Sequence, residues 1–326
     1  MDDGPGGVPG RLRRLTLLVN PSSGRGRAGR LLAGVRDRLA LALPHTLVDV
    51  VRTVDYSHAQ RVAASVVGSA RRGDALAVMG GDGMAAIGHN ACGGTWVPLG
   101  VIPAGTGNDF CRGVGLPTKV GPAVEAIAGG LTERIDLMRV SGDILDGEPS
   151  RLVGSVLSTG FDERVNWRTN RLPVDLGAPS YAYSVFTELR SFHPLRYRIE
   201  IDGTARELDA MLVAVANAGI FGGGVRICPD ADVHDGRLDV TIVHPVPRGV
   251  LFRLFPRLFT GSFVTHPAVE TLRASSVLVD GDGLYAMADG ENLGRPPLAC
   301  HAEPGAVTIF VPRGRAAPAS AHVGAG

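Results

Sequence analysis

The chain carries almost no excess charge. Its 326 residues hold 33 lysines and arginines against 32 aspartates and glutamates, so no whole-chain field draws it to nucleic acid or to an acidic partner. Attraction to a membrane would have to come from a local patch. Cysteine is scarce as well. Cys92, Cys111, Cys228 and Cys300 stand far apart, with no C-x-x-C pair and no histidines at zinc-ligand spacing. That argues against a disulfide framework and against a common zinc site, and the four are expected to be reduced, mostly buried thiols of a cytoplasmic protein. Long apolar runs are missing too: each uncharged stretch is broken by Gly, Pro or Asn, so none reads as a spanning helix. The opening "MDDGPGGVPGRLRR" and the short Leu17-Leu18-Val19 after it are not expected to form a secretory leader. No solenoid repeat is visible, and the length suits two domains, each with its own core.

Short apolar runs alternate with helical patterns over the first third: "RLTLLVN", "GRLLAGVRDRLAL", "HTLVDVVRT", "AQRVAASVVGSARR", "DALAVMG". With glycine at the turns, this predicts a parallel α/β domain over residues 11–137. After "ERIDLMRV" the segments "SRLVGSVLS", "RYRIEIDG", "LDAMLVAVANA", "RLDVTIVH" and "SSVLVDGDGLYAMADG" alternate between turns, several of them Asp-Gly. They predict an antiparallel β-rich domain over 138–304, of β-sandwich type, interrupted by a helix at "SYAYSVFTELRSF". The strand "GAVTIFVP" within 305–313 is expected to return to the first domain. Residues 1–10 and 314–326 are too poor in large apolar residues to order themselves.

Three Gly-rich loops follow strands of the first domain. "NPSSGRGRAG" contains a G-x-G-x-x-G at Gly24, Gly26 and Gly29, with Asp49 about twenty residues on, as a dinucleotide-binding turn would have. A flexible basic turn is the plainer alternative. "GGDGM", from Gly80 to Met84, leads into a helix, where unpaired N–H groups and the helix dipole form an anion site. Asp82 in its middle would repel a bare phosphate unless Mg²⁺ stands between them; otherwise it only caps the helix. "PAGTGNDFCRG" adds Gly105, Thr106, Gly107, Asn108 and Asp109. Loops ending successive parallel strands share the carboxyl edge of the sheet, where open α/β folds bind ligands.

These motifs, in this order and at these spacings, resemble the diacylglycerol kinase catalytic-domain family, which includes sphingosine and ceramide kinases and bacterial lipid kinases. The resemblance continues through "NAGIFGGGVRICPDADVHDGRLDV" and "MADGENL" and covers about residues 12–312. It implies an ATP- and Mg²⁺-dependent lipid kinase with its active site in a cleft between the two domains. Asn20, Pro21, Ser22, Ser23, Gly24, Thr53, Gly80, Gly81, Asp82, Gly83, Met84, Ala85 and Thr106 then match ATP-binding positions. Asp235, with the carbonyls of Asp232 and Arg237, matches a structural Mg²⁺ site; a plain β-turn would look the same in sequence. Glu291 matches the catalytic base, with Asp289 beside it. One departure stands out: Met84 replaces the family's usual threonine.

From the residues themselves, Glu291 ends an alternating run and so sits at a strand end. A second Asp-Gly-Glu at 146–148 lies in the uniformly polar "SGDILDGEPSR" and is expected to be a hairpin end. The "DGDG" at 280–283 lacks the remaining ligands of a calcium loop and reads as a turn. In "PRGVLFRLFPRLFTGSF", residues 247–263, apolar side chains recur at helical spacing among Arg248, Arg253 and Arg257. Such a helix suits anionic headgroups or simple packing on the β domain, with Pro256 limiting its length. The expected partner is a lipid acceptor at the membrane surface; peripheral contact there and homo-oligomerisation are left open. The competing activities are phosphorylation of another lipid of sphingoid type, phosphorylation of NAD or another soluble acceptor, a dinucleotide-dependent oxidoreductase, and a catalytically impaired nucleotide-binding relative.

Overall fold

The computed structural model describes residues 12–160 and 193–314, so the helix expected at 180–192 and both tails lie outside the described residues. The chain divides into two compact units, one formed by residues up to Asp136 together with those from Pro304 onward, the other by Leu137–Glu303.

In the first unit the elements run β1 (Arg14–Val19), α1 (Ser23–Ala42), β2 (Leu47–Arg52), α2 (Tyr56–Gly68), β3 (Asp74–Gly80), α3 (Asp82–Cys92), β4 (Leu99–Pro103), α4 (Asp109–Gly113) and α5 (Val120–Gly129). The strands are parallel in the order β2-β1-β3-β4. The end of the final strand, β17 (Glu291–Phe310), joins beside β4 through Ile309 opposite Leu99. Strands covered on both faces read as unbroken apolar runs, and "DALAVMG" is buried at every position. Leu15, Leu17, Val19, Ala75, Ala77 and Met79 form one core with Leu32, Val35 and Leu39 of α1 and Val124 and Ile127 of α5. α1 packs beside α5, and α2 beside α3. This strand order turns back between β1 and β3. The loops that follow those two strands therefore open at the topological switch point, where a doubly wound sheet accepts ligands.

The second unit is antiparallel. It contains β5 (Thr132–Ile144), which enters from the first unit, followed by β6 (Ser150–Val153), β7 (Val156–Gly160), β8 (Leu195–Ile201), β9 (Thr204–Ala210) and β10 (Leu212–Ala216). Then come β11 (Ile220–Phe221), β12 (Val225–Arg226), β13 (Leu238–Val243), α6 (Arg248–Leu258), β14 (Val269–Ala274), β15 (Ser276–Asp280) and β16 (Ala286–Ala288). The order β14-β13-β10-β7-β16-β17 forms its main sheet, and β8, β9 and β15 extend from β17. Met138, Tyr197, Val213, Val240, Val279 and Leu298 belong to its central cluster.

Three segments differ from the sequence expectation. "SRLVGSVLS" is two strands, broken at Gly154-Ser155, and "LDAMLVAVANA" is split at Met211. The polar "SGDILDGEPSR" is turn-like only from Leu145 to Pro149, because β5 runs on to Ile144, which is buried.

Candidate active site

Three loops of the first unit meet backbone to backbone. After β1, the Asn20 N–H donates to the Met79 carbonyl at 3.1 Å, and its Oδ1 accepts from the Ser22 N–H at 3.0 Å. The Pro21 carbonyl accepts from Gly29 and the Ser22 carbonyl from Gly26. Gly24, Arg25 and Gly26 are all left-handed, so the regular part of α1 begins only after them. A Cβ on Gly24 would strike the Ala104 carbonyl at the end of β4. A Cβ on Gly80 would strike Met84 and stand 3.0 Å from Ser23 Oγ, and one on Gly105 would strike the Gly81 backbone. Glycine is required at these positions by close approach. The G-x-G-x-x-G is thereby explained without a dinucleotide, and Asp49 lies in mid-strand opposite Thr16, paired with Arg14 at 3.2 Å.

Thr53, at the end of β2, belongs to the same edge. Its N–H and hydroxyl both donate to the Val19 carbonyl, at 2.9 and 3.2 Å. In the third loop Asn108 is a left-handed residue whose amide closes Gly105 from both sides. Oδ1 accepts from the Gly105 N–H at 3.0 Å and Nδ2 donates to its carbonyl at 3.1 Å. Thr106 is exposed at the tip.

Asp82 has a structural task that sequence did not reveal: its Oδ1 accepts the Phe110 N–H at 3.0 Å and ties the start of α3 to the start of α4. Its other oxygen lies 3.0 Å from where a Gly107 Cβ would be, and Asp109 Oδ2 lies 3.2 Å from that point. Two carboxylates thus face a small space kept open by glycine, a hard-oxygen set that suits Mg²⁺. Met84 is buried, with its side chain folded over Gly80, and its N–H, like that of Ala85, donates to the Gly81 carbonyl. Both of these N–H groups are thus spent inside the turn.

In the second unit, Ala288 pairs with Glu291 across a two-residue turn, Asp289-Gly290, in which both residues have positive φ. This is the hairpin geometry that Asp-Gly favours, and it makes Glu291 the first residue of β17. Asp289, expected beside Glu291, is held by the backbone of the neighbouring strands. Its two carboxylate oxygens accept the N–H groups of Gly154 (3.0 Å) and Ser155 (2.8 Å), at the break between β6 and β7. The Asn217 side chain donates to the Gly154 carbonyl at 3.0 Å, and its N–H to the Ser155 carbonyl at 2.8 Å. Asp289 therefore braces the Asp289-Gly290 turn against the break between β6 and β7. Gly154, Ser155 and Asn217 were missed, although Asn217 heads the "NAGIFGGG" stretch directly after the apolar run of β10, a polar residue in a place that was the available signal. Glu148 of the other Asp-Gly-Glu is ion-paired with Arg151 at 3.1 Å.

Asp232, Asp235 and Arg237 share one turn. Asp235 Oδ1 accepts the Arg237 N–H at 2.9 Å, while Oδ2 lies 3.5 Å from Arg273. Arg273 also meets Asp239 at 3.3 Å and the Asp230 carbonyl at 2.9 Å. Among the described residues no group of three or more His, Cys, Asp or Glu side chains surrounds one point as a metal shell. The turn carries two carboxylates: Asp232 Oδ1 accepts the His234 N–H at 3.1 Å, and Asp235 faces Arg273, whose guanidinium would compete with any cation bound there.

Comparison with known proteins follows the same outline. Residues 14–140 match the model of the diacylglycerol kinase catalytic domain, and residues 155–311 that of the YegS C-terminal NAD kinase beta sandwich-like domain. A diacylglycerol kinase of Mycobacterium tuberculosis is 39% identical over 313 residues, covering 93% of this chain and 98% of the relative. A crystal structure from Bacillus anthracis str. Sterne superposes with a TM-score of 0.73 at 22% identity, covering 92% of this chain and 98% of that one. Another from the same organism, of a diacylglycerol kinase, does so with 0.68 at 19%, covering 92% and 97%.

Proposed function

Because the chain belongs to the diacylglycerol kinase catalytic-domain family, we propose that it transfers the γ-phosphoryl group of ATP to the hydroxyl of a diacylglycerol-like membrane lipid. The observation that carries this reading is the mutual packing of the loops at 20–26, 80–84 and 104–109 at the switch point of the parallel sheet. Phosphoryl transfer asks the protein for positioning, charge neutralisation and a proton acceptor. The backbone N–H groups of these loops would take the ATP phosphates. Asp82 and Asp109 would hold Mg²⁺, which when bound offsets charge on the phosphate oxygens. Glu291 takes the proton of the lipid hydroxyl as its oxygen forms the new P–O bond and the bond to the leaving ADP oxygen breaks. Asp289 and Asn217 fix the turn from which Glu291 projects. The turn at Asp232–Arg237 would hold a second, structural Mg²⁺ in competition with Arg273.

Among the described residues no helix is long and apolar enough to cross a membrane, so the lipid is to be met at the surface. The deciding experiment incubates the chain with γ-labelled ATP and a total lipid extract, and in parallel with NAD. A labelled phosphatidic-acid-like product supports the reading, and label on NAD alone overturns it.

A further inference from the structure

α6 is buried on one side and bare on the other. Leu254 is buried, and Val250, Leu251 and Leu258 pack against the same core cluster. Arg248 and Arg253 are exposed, Phe259 is 44% exposed, and Phe255 meets Phe259 edge-on with 5.8 Å between ring centroids. Around this helix acidic residues vanish: from Val240 to Val269 there is no aspartate or glutamate, while Arg248, Arg253 and Arg257 all fall inside. Elsewhere in the unit most arginines meet a carboxylate, as Arg139, Arg151, Arg196, Arg198, Arg206 and Arg273 do, while among the described residues Arg226, Arg237 and Arg295 form no such ion pair. Nor do the α6 arginines, among the described residues. Arg253 donates to the Gly249 carbonyl at 3.3 Å, and Arg257 to the Ser262 carbonyl and Thr265 hydroxyl at 2.6 and 2.8 Å.

Guanidinium groups without a carboxylate partner, beside the exposed ring of Phe259 at the end of a short surface helix, are what a charged lipid surface recognises. The rings enter the headgroup boundary, and the forked donors take phosphate oxygens. An acidic protein would satisfy the arginines but would leave the phenylalanine edges without a role. We propose that α6, with Phe259 behind it, is a docking face for a membrane surface rich in anionic phospholipid headgroups. The inference rests on the reading that the acceptor is a membrane lipid, and it names the face through which the chain reaches that lipid's leaflet.

The test is flotation of the full chain, without ATP, on vesicles of phosphatidylcholine alone and of phosphatidylcholine with an equal part of phosphatidylglycerol. The expected result is binding to the anionic vesicles only. Binding should be released as salt rises from about 0.1 to about 1 M, where the screening length shrinks from roughly 10 to 3 Å. Arg248→Glu with Arg253→Glu should lower partitioning about tenfold or more, Arg→Lys at both positions should preserve it, and Phe259→Ser should weaken it. Neither arginine holds another side chain, so melting curves should match the parent. Undiminished anionic binding by the charge-reversed pair, or no vesicle binding by the parent, overturns the proposal; the second result leaves an acidic protein as the partner of this face. Phosphorylation of a dispersed short-chain diacylglycerol is measured alongside. If the parent binds anionic vesicles yet transfers no phosphate, the kinase reading falls while the docking face stands.

Discussion

Asp289 and Glu291 sit two residues apart, and their substitutions should fail in different ways. Glu291→Gln keeps the turn and removes the proposed proton acceptor. It should lower kcat about 10²- to 10⁴-fold, with ATP affinity and melting temperature unchanged; retained turnover would remove Glu291 from the mechanism. Asp289→Ala leaves the Gly154 and Ser155 N–H groups without their acceptor, at about 1–3 kcal/mol each if they stay buried. Stability should fall along with kcat, so thermal melting read beside turnover separates the proposed base from its proposed support. Met84 offers a second contrast. Threonine there would add a hydroxyl worth on the order of 1 kcal/mol, and up to about 3 against a charged phosphate. The structure adds a cost, because Met84 is buried over Gly80 and trimming it costs about 2 kcal/mol of stability. Met84→Thr should therefore tighten ATP binding while lowering the melting temperature, as titration calorimetry and thermal denaturation would record. Unchanged affinity would place the hydroxyl outside the nucleotide site.

Among elements, the parallel sheet was legible because strands covered on both faces read as unbroken apolar runs between glycine turns, and β3 is the clearest case. The Asp-Gly hairpin before Glu291 was legible for the same kind of reason: few dipeptides suit a turn with two positive φ angles. The interruption of "SRLVGSVLS" at Gly154-Ser155 was not. It is imposed by Asp289 and Asn217, more than 60 residues away, and no local pattern carries that. Nor could sequence show that Asp82 caps α4, since its partner is 28 residues on. The loop packing makes an element-level prediction. The obstacle at Gly105 is the backbone of Gly81, so Gly105→Ala must displace one loop and should raise the KM for ATP at least about tenfold, given how steeply misplacement is penalised. Gly34→Ala in α1, where a Cβ meets nothing within 4 Å, should leave KM alone and stabilise by about 0.5–1 kcal/mol. Equal effects from the two would deny the loops their special packing. At the 232–237 turn, Mg²⁺ without nucleotide should raise the melting temperature of the parent but not of Asp235→Asn; equal shifts would leave Arg273 as the only cation there.

At the scale of the whole molecule, both units close over their own cores, and the four cysteines show how completely. Cys92 and Cys111 lie in the first unit and Cys228 and Cys300 in the second, and all four are free and buried. Burial pushes the thiols of Cys92, Cys228 and Cys300 up to about 12, and burial, aided by the Asp82 charge, pushes Cys111 up as well. A thiol attacks only as thiolate, so at neutral pH these groups lack both charge and access. Cys111 is the informative one, because it belongs to α4 beside the proposed phosphate loops. A thiol-reactive aromatic disulfide should titrate none of the four in the native chain within minutes and all four in denaturant. Partial denaturation should release them in pairs if the two units open separately, Cys92 with Cys111 and Cys228 with Cys300. ATP with Mg²⁺ should then delay the first pair and leave the second unaffected, because a ligand stabilises only what binds it. Protection spread evenly over both pairs would mean that the units unfold as one; a protected second pair alone would move the nucleotide site out of the parallel sheet.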